Sequence, residues 1–247
     1  MTHPLLSPNA EVARAIAPTG TLRAAINLGN GVLAQRSPSG GLQGASVRLA
    51  QEVARKLGLS LELVPFRAAG GVVQAIGQDA WDVAFLAVDP VRAEQICFTR
   101  PYVLIESTYL VREDSPLHAV ADVDSPGVRV AASQGSAYEL YLRRTLRQAQ
   151  LVSLPTTEES FAAFRDQALD ALAGVRPALA RLGGRLPGLR LLRESFLTVQ
   201  HAMALPRRGA TALPFLDAFL AQALASGFVQ RALAETGQVQ AAVVPAV

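Results

Sequence analysis

Trp81-Asp-Val-Ala-Phe-Leu-Ala-Val-Asp-Pro-Val-Arg92, running on through Ala93-Glu-Gln-Ile-Cys-Phe-Thr-Arg-Pro-Tyr102, decides how the chain is read. Val83 to Leu86 is an apolar run of the length of a buried strand. Asp89 then supplies a helix N-cap and Pro90 the first helical position. Arg92 falls in the first turn of that helix, where a cation opposes the macrodipole and an acidic residue would be favoured. An arginine placed there, beyond the carboxyl end of a strand, is a candidate grip for a ligand carboxylate or phosphate. The competing reading is an Asp89–Arg92 pair, three residues apart, that only ties the turn together.

Outward from this stretch the chain alternates strand and helix patterns. Upstream, Leu22–Ile26 reads as a strand, Val47–Leu57 as a helix with 47, 50, 54 and 57 on one apolar face, Leu61–Val64 as a strand and Val72–Ile76 as a short helix. The Gly-rich stretch Ser37–Gly44 has the length of a hairpin loop. Downstream, Val103–Val111 reads as a long strand broken by Glu113-Asp-Ser-Pro-Leu117. A second alternating block follows: strand Val128–Ala132, helix Ser136–Leu146, strand Leu151–Leu154, helix Glu158–Asp166, strand Ala171–Ala173 and helix Pro177–Leu182. Ser136 with Glu139 and Thr156 with Glu159 have capping-box spacing. His201–Leu205 is a further strand, and Ala212–Ala225 and Phe228–Glu235 are closing helices. Two alternating blocks joined by strands near 105–111 and 200–205 predict an α/β protein of two lobes with two crossings. Lobe one takes residues 1–110 and 206–247, and lobe two takes 111–205. The hinge falls near 109–112 and 200–205.

The Asp82–Tyr102 stretch resembles the fingerprint of the family 3 bacterial extracellular solute-binding proteins, the receptors of polar amino-acid ABC importers. The matching positions are Asp82, Arg92, Ile96, Phe98, Thr99, Pro101 and Tyr102. Gly41-Leu-Gln-Gly44, followed by Val47, Leu49, Ala50, Ala54 and Leu57-Gly58, is similar to the family's glycine-helix element. Thr19–Ile26 resembles its first strand, and Gln134-Gly-Ser-Ala-Tyr138 the opening of its second lobe. The likeness runs from about residue 19 to 240. It implies the two-lobe, Venus-flytrap architecture of periplasmic-binding-protein-like type II and a ligand held between the lobes.

Composition bounds the function independently. Hydrophobic residues make up 50% and charged residues 17%, enough apolar content for sizeable cores rather than disorder. The net charge of +3 comes from arginines spread along the chain, with Lys56 the one lysine and no basic block, so nucleic acid is not the expected partner. Cys97 alone forms no internal disulfide and, between Ile96 and Phe98, reads as core. His3, His118 and His201 have no metal-ligand spacing and are expected outside the cleft, so no metal or cofactor is implied. Met1–Glu11 has neither a basic n-region nor an apolar h-region. The chain as it stands therefore reads as cytoplasmic, and as periplasmic if a signal was removed.

Strand ends supply the candidate site. Asn27 and Asn30 follow the first strand, and Val88, Asp89 and Arg92 follow the Val83–Leu86 strand. Gln134, Gly135 and Ser136 open a helix whose free amides favour anions. Gly174, Val175 and Arg176 follow the Ala171–Ala173 strand. In the family, the arginine matching Arg92 holds an α-carboxylate, aromatic walls flank the ligand and a lobe-two carboxylate takes the ammonium. Here the aromatic positions read Asn30 and Ala69, the contacts after the strand read Ala87 and Asp89, and the ammonium acceptor reads Val175. Asp89 is one substitute for that acceptor; Asp170 or Asp166 is another if the match is a turn out of register. An uncompensated ammonium in a closed cleft is costly, so the departures predict a small anionic or polar solute rather than an ordinary amino acid. The first functional reading is a non-enzymatic, monomeric solute-binding protein with an ABC permease as implied partner. The alternatives are an enzyme on the same scaffold, similar to cyclohexadienyl dehydratases, and a cytoplasmic ligand sensor. No Ser-His-Asp or Cys-His constellation falls on strand ends to mark a catalytic residue.

Overall fold

The computed structural model describes residues 8–239 and 241–245, and most of the amino-terminal stretch read for an export signal lies outside them. The first half runs α1 (Pro8–Ile16), β1 (Thr21–Asn27), β2 (Gln35–Arg36), β3 (Leu42–Gln43), α2 (Ala45–Leu57), β4 (Ser60–Phe66), α3 (Ala69–Gln74), β5 (Val83–Ala87), α4 (Pro90–Ala93) and β6 (Ile96–Arg112). The second runs β7 (Arg129–Ser133), α5 (Ala137–Thr145), β8 (Gln150–Leu154), α6 (Thr157–Asp166), β9 (Ala171–Val175), α7 (Arg176–Gly183), β10 (Leu189–Leu191), β11 (Leu197–Pro206), α8 (Leu213–Ala225), α9 (Phe228–Ala234) and β12 (Ala242–Val243). The Ser37–Gly44 stretch closes the β2–β3 hairpin as expected. The helix expected from Val72 begins at Ala69, and the long strand expected from Val103 begins at Ile96. Residues 69–71 include two glycines and 96–102 a proline, and such residues hide the period that marks an element.

Burial explains the elements. α2 buries Val47, Ala50, Val53, Ala54 and Leu57 and ends at Gly58, whose φ of 66° is the left-handed conformation that glycine supplies at a helix carboxyl end. β5 is buried along its whole length, as an unbroken apolar run in a parallel sheet should be. Asp82, just before it, is fully buried and accepts from the Arg23 backbone amide and guanidinium and from Arg208. That carboxylate staples β5 to β1 and to the turn after β11, which gives the first residue of the fingerprint a structural role.

One sheet runs through both lobes in the order β4-β1-β5-β11-β6-β9-β7-β8. β4, β1 and β5 are mutually parallel on one side, and β9, β7 and β8 are parallel on the other. Antiparallel β6 and β11 join them and carry the chain across and back. On β6, β9 attaches from Ser107 to Leu110 and β12 at Leu104 and Val103. On β11, β5 attaches from His201 to Ala204. Ile105 and Glu106 on β6 therefore ladder only with Val199 and Thr198 on β11. Residues 107–112, which include the expected hinge at 109–112, are instead held from the sides by β9 and β10. Strand lengths alone carried no sign of which side neighbours would grip. Among the described residues, no single helix is long and apolar enough to cross a membrane.

Candidate ligand-binding site

The carboxyl ends of β1, β5, β7 and β9 converge on a small pocket of about 50 Å³ between the lobes. One wall comes from the β1 loop, the β4–α3 junction, β5 and α4; the other comes from β7, the start of α5, Thr157 and the β9–α7 junction. Of the expected site residues, Asn27, Asn30, Arg92, Ser136 and Val175 line this pocket.

Arg92 is 2% exposed. One terminal guanidinium nitrogen donates to the Ala87 carbonyl at 2.9 Å, and the other crosses to the second lobe, donating to the Gly135 carbonyl at 2.7 Å. Its Nε has no hydrogen-bond partner. Burial pushes its pKa down to about 10, opposed by the nearby Asp89 charge, so the group stays cationic at neutral pH. Asp89 does not pair with it directly. The Asp89 carboxylate caps α4 through the Val91 amide at 2.9 Å and bonds Arg144 of α5 at 2.9 Å. Three charges thus meet, two arginines and one carboxylate, and the carboxylate is committed to Arg144 and the cap. A buried guanidinium is left to carbonyl dipoles, which favours an incoming anion.

His201, expected outside the cleft, lies in the pocket wall 5% exposed. Its position on β11, beside Ala87 at the end of β5, follows from the crossover pairing and not from any local motif. Burial first and then the neighbouring Arg92 charge push its pKa down to about 3, so the ring is neutral. The Asn30 Oδ1 accepts from the Val32 amide at 3.2 Å, which turns its amide nitrogen toward His201 Nε2 at 3.0 Å. Nε2 therefore accepts, and the single ring proton belongs on Nδ1, which has no partner. Tyr138 adds a phenol whose ionisation burial pushes up, so it too is a neutral donor.

Ser136 caps α5 by accepting from the Glu139 amide at 3.2 Å. Glu139 is buried and turned away from the pocket, accepting from the Gly135 amide, Ser153 and Arg143. The Asn27 side chain accepts from the Gly29 amide and shapes the β1 loop. The remaining expected residues are not brought to the pocket. Val88 is 39% exposed. Gln134 is exposed on an outer groove, and Gly135 meets the pocket only through its carbonyl on Arg92. Gly174 lies within β9 under Leu179. Arg176 swings away to Glu106, Ser195 and the carbonyls of 192–194. Asp170 pairs with Arg129 and Asp166 with Arg165, so neither takes the ammonium role left open by Val175. Among the described residues no carboxylate lines the pocket; its remaining wall combines small apolar side chains such as Ala69, Ala137, Val175 and Ala178 with the Phe85 ring and the hydroxyl residues Ser133 and Thr157.

The lobes meet around this pocket. The Asp89–Arg144 pair, the Arg67–Glu159 pair at 3.0 Å and the Arg92 bond to Gly135 all cross between them. Gly70 and Gly135 touch so closely that a Cβ added to Gly135 would stand 2.8 Å from Gly70 Cα. The conformation is a closed one.

Residues 32–235 match the family model described as bacterial extracellular solute-binding proteins, family 3. The cyclohexadienyl dehydratase of Pseudomonas aeruginosa is 27% identical over 221 residues, covering 86% of this chain and 81% of that protein. The cysteine-binding protein of Campylobacter jejuni superposes with a TM-score of 0.81 at 20% identity, over 96% of this chain and 99% of that one. An arginine-binding protein mutant from T. maritima gives 0.78 at 19% identity over 91% and 98%. An ancestral amino acid-binding protein, a precursor of cyclohexadienyl dehydratase, gives 0.75 at 21% identity over 92% and 98%. At these identities the structural likeness is one of fold.

Proposed function

The chain belongs to the bacterial extracellular solute-binding proteins of family 3, and from that premise we propose that it binds a small anionic solute between its lobes without altering it. Arg92 carries this reading: a buried cation with no carboxylate partner, in a pocket that no carboxylate lines among the described residues. An anion there neutralises the guanidinium, whereas a zwitterion would bring an ammonium with no acceptor. Ligand contacts to both walls favour the closed state, which an ABC permease would then recognise. A thermal-shift and calorimetry panel of organic acids and the twenty amino acids tests it. Binding by carboxylates without an ammonium supports the reading, and a micromolar amino acid overturns it.

A dehydratase is the second reading, favoured by the Pseudomonas aeruginosa relative. The pocket argues against it. Acid catalysis needs a group that holds a proton near neutral pH. His201 is kept neutral, Asp89 is tied to Arg144 and the α4 cap, and Tyr138, the phenol that keeps its proton, is made a still weaker acid by burial. Product analysis with prephenate and arogenate should show no turnover; turnover lost in Asp89→Asn would restore the enzyme reading.

A further inference from the structure

Arg92 and His201, which both line one small pocket, each carry a buried N–H donor without a partner, Nε on the first and Nδ1 on the second. A carboxylate that engages the Arg92 guanidinium through both oxygens leaves the His201 donor unmet. We propose that the native ligand carries a second acceptor oxygen on the carbon next to its carboxylate, as in a short-chain 2-oxo or 2-hydroxy acid, and that His201 is the residue that reads it. The inference rests on the anion reading of the pocket and sharpens it to a class of ligand.

The donor on His201 follows from geometry. The Val32 amide holds the Asn30 oxygen, the Asn30 nitrogen is therefore turned to Nε2, and a neutral ring then has its proton on Nδ1. The Val199 carbonyl exerts a minor pull on the ring without meeting hydrogen-bond geometry. A buried donor left unpaired costs about 1–3 kcal/mol, so a ligand that pairs it is favoured over one that presents hydrogen or methyl there. Arg92 supplies the carboxylate partner. Each terminal nitrogen spends one N–H on a carbonyl, Ala87 or Gly135, which leaves Nε and a second N–H on each terminal nitrogen for the ligand. Volume limits the rest of the ligand: about 50 Å³, with several alanines and valines in the lining, suits a short chain and not a long one. A 2-amino acid fails on charge, because its ammonium would face the N–H of His201 and the Arg92 cation.

Calorimetry on the whole protein with pyruvate, L-lactate, propionate and L-alanine tests the inference. Pyruvate or lactate should bind at least about tenfold tighter than propionate, the worth of one hydrogen bond. His201→Leu should bring them to parity by weakening the oxygenated acid alone, and His201→Gln, which can both accept from Asn30 and donate, should recover part of the difference. Nitrogen NMR of the ligand-free wild type should show the Nδ1–H tautomer of His201, an outcome independent of how the variants fold. Equal binding of propionate and pyruvate by the wild type, or an Nε2–H tautomer, overturns the role of His201 and leaves the anion reading standing. L-Alanine binding as tightly as pyruvate, or no acid binding at all, overturns the anion reading and this inference together.

Discussion

Arg92 and His201 are neighbours with different histories in the sequence. Arg92 announced itself, because a cation in the first turn of its own helix is locally unfavourable and so points to another use. His201 gave no such sign: a lone histidine in an apolar strand is ordinary, and only the antiparallel return of β11 beside β5 brings it to Asn30 and Arg92. Arg92→Met should lose about 2–5 kcal/mol of ligand binding, by analogy with buried charge pairs, and calorimetry reads it directly. The same variant should still fold without ligand, since the buried cation it removes lacks a carboxylate partner and the cost is limited to the bonds given up at the Ala87 and Gly135 carbonyls, about 1–3 kcal/mol each at most. Wild-type affinity in Arg92→Met would make the arginine structural. His201 predicts a pH dependence. The unfolded ring titrates near 6.5 and the folded one at about 3, with Arg92 the charged group facing it. Between those values only the unfolded chain takes up the proton, so the contribution is complete above 6.5 and falls as pH falls, by about 1.4 kcal/mol per unit. Urea unfolding should therefore show the wild type losing about 2 kcal/mol more than His201→Gln between pH 7 and pH 5. Equal losses would place His201 in contact with solvent.

The elements themselves were largely legible. Strand and helix periods located the sheet strands that build each lobe, and the spacings at Ser136–Glu139 and Thr156–Glu159 did mark helix starts. Their second halves were redirected by tertiary contacts. Glu139 reaches the Gly135 amide and not that of Ser136, and Glu159 reaches across to Arg67. A spacing rule describes one helix, and it is blind to a partner on another element. The same blindness placed Arg176 in the pocket: the strand-end position was right for its backbone, but Glu106 and Ser195 draw the side chain away. α3 offers a test at this scale. Gly70 has room for helical backbone, and a Gly→Ala change inside a helix gains roughly 0.5–1 kcal/mol. Yet a Cβ there would stand 3.1 Å from the Gln134 carbonyl of the other lobe. Gly70→Ala should leave the melting temperature equal or higher while weakening every ligand by roughly tenfold (about 1.4 kcal/mol). Unchanged affinity would show that the closed state does not bring α3 against the α5 loop.

At the scale of the whole molecule, the proposed function predicts that closure and recognition can be separated by mutation. Three ties hold the lobes together without any ligand: Asp89–Arg144, Arg67–Glu159 and the Arg92 bond to the Gly135 carbonyl. Arg144 is outside the pocket, so its part is confined to the closed state. In the open state Asp89 regains water, and losing Arg144 then costs little; in the closed state the carboxylate is 3% exposed and its loss is felt. Arg144→Gln should therefore destabilise closure by about 1–2 kcal/mol, a factor of roughly 5–30. Apparent affinity scales with the fraction of protein able to close, so every ligand should weaken by that same factor and the ratios between ligands should stay fixed. His201→Leu should do the reverse, changing ratios while leaving the lobe angle alone. Small-angle scattering supplies the independent reading. The ligand-free Arg144→Gln protein should have a larger radius of gyration than the wild type, and saturating ligand should bring the two together. The movement should bend at Ile105–Glu106 and Thr198–Val199, where β6 and β11 have only each other. Identical scattering in all states, with affinity lost unequally among ligands, would mean that Arg144 acts on recognition and that the two lobes move as one body.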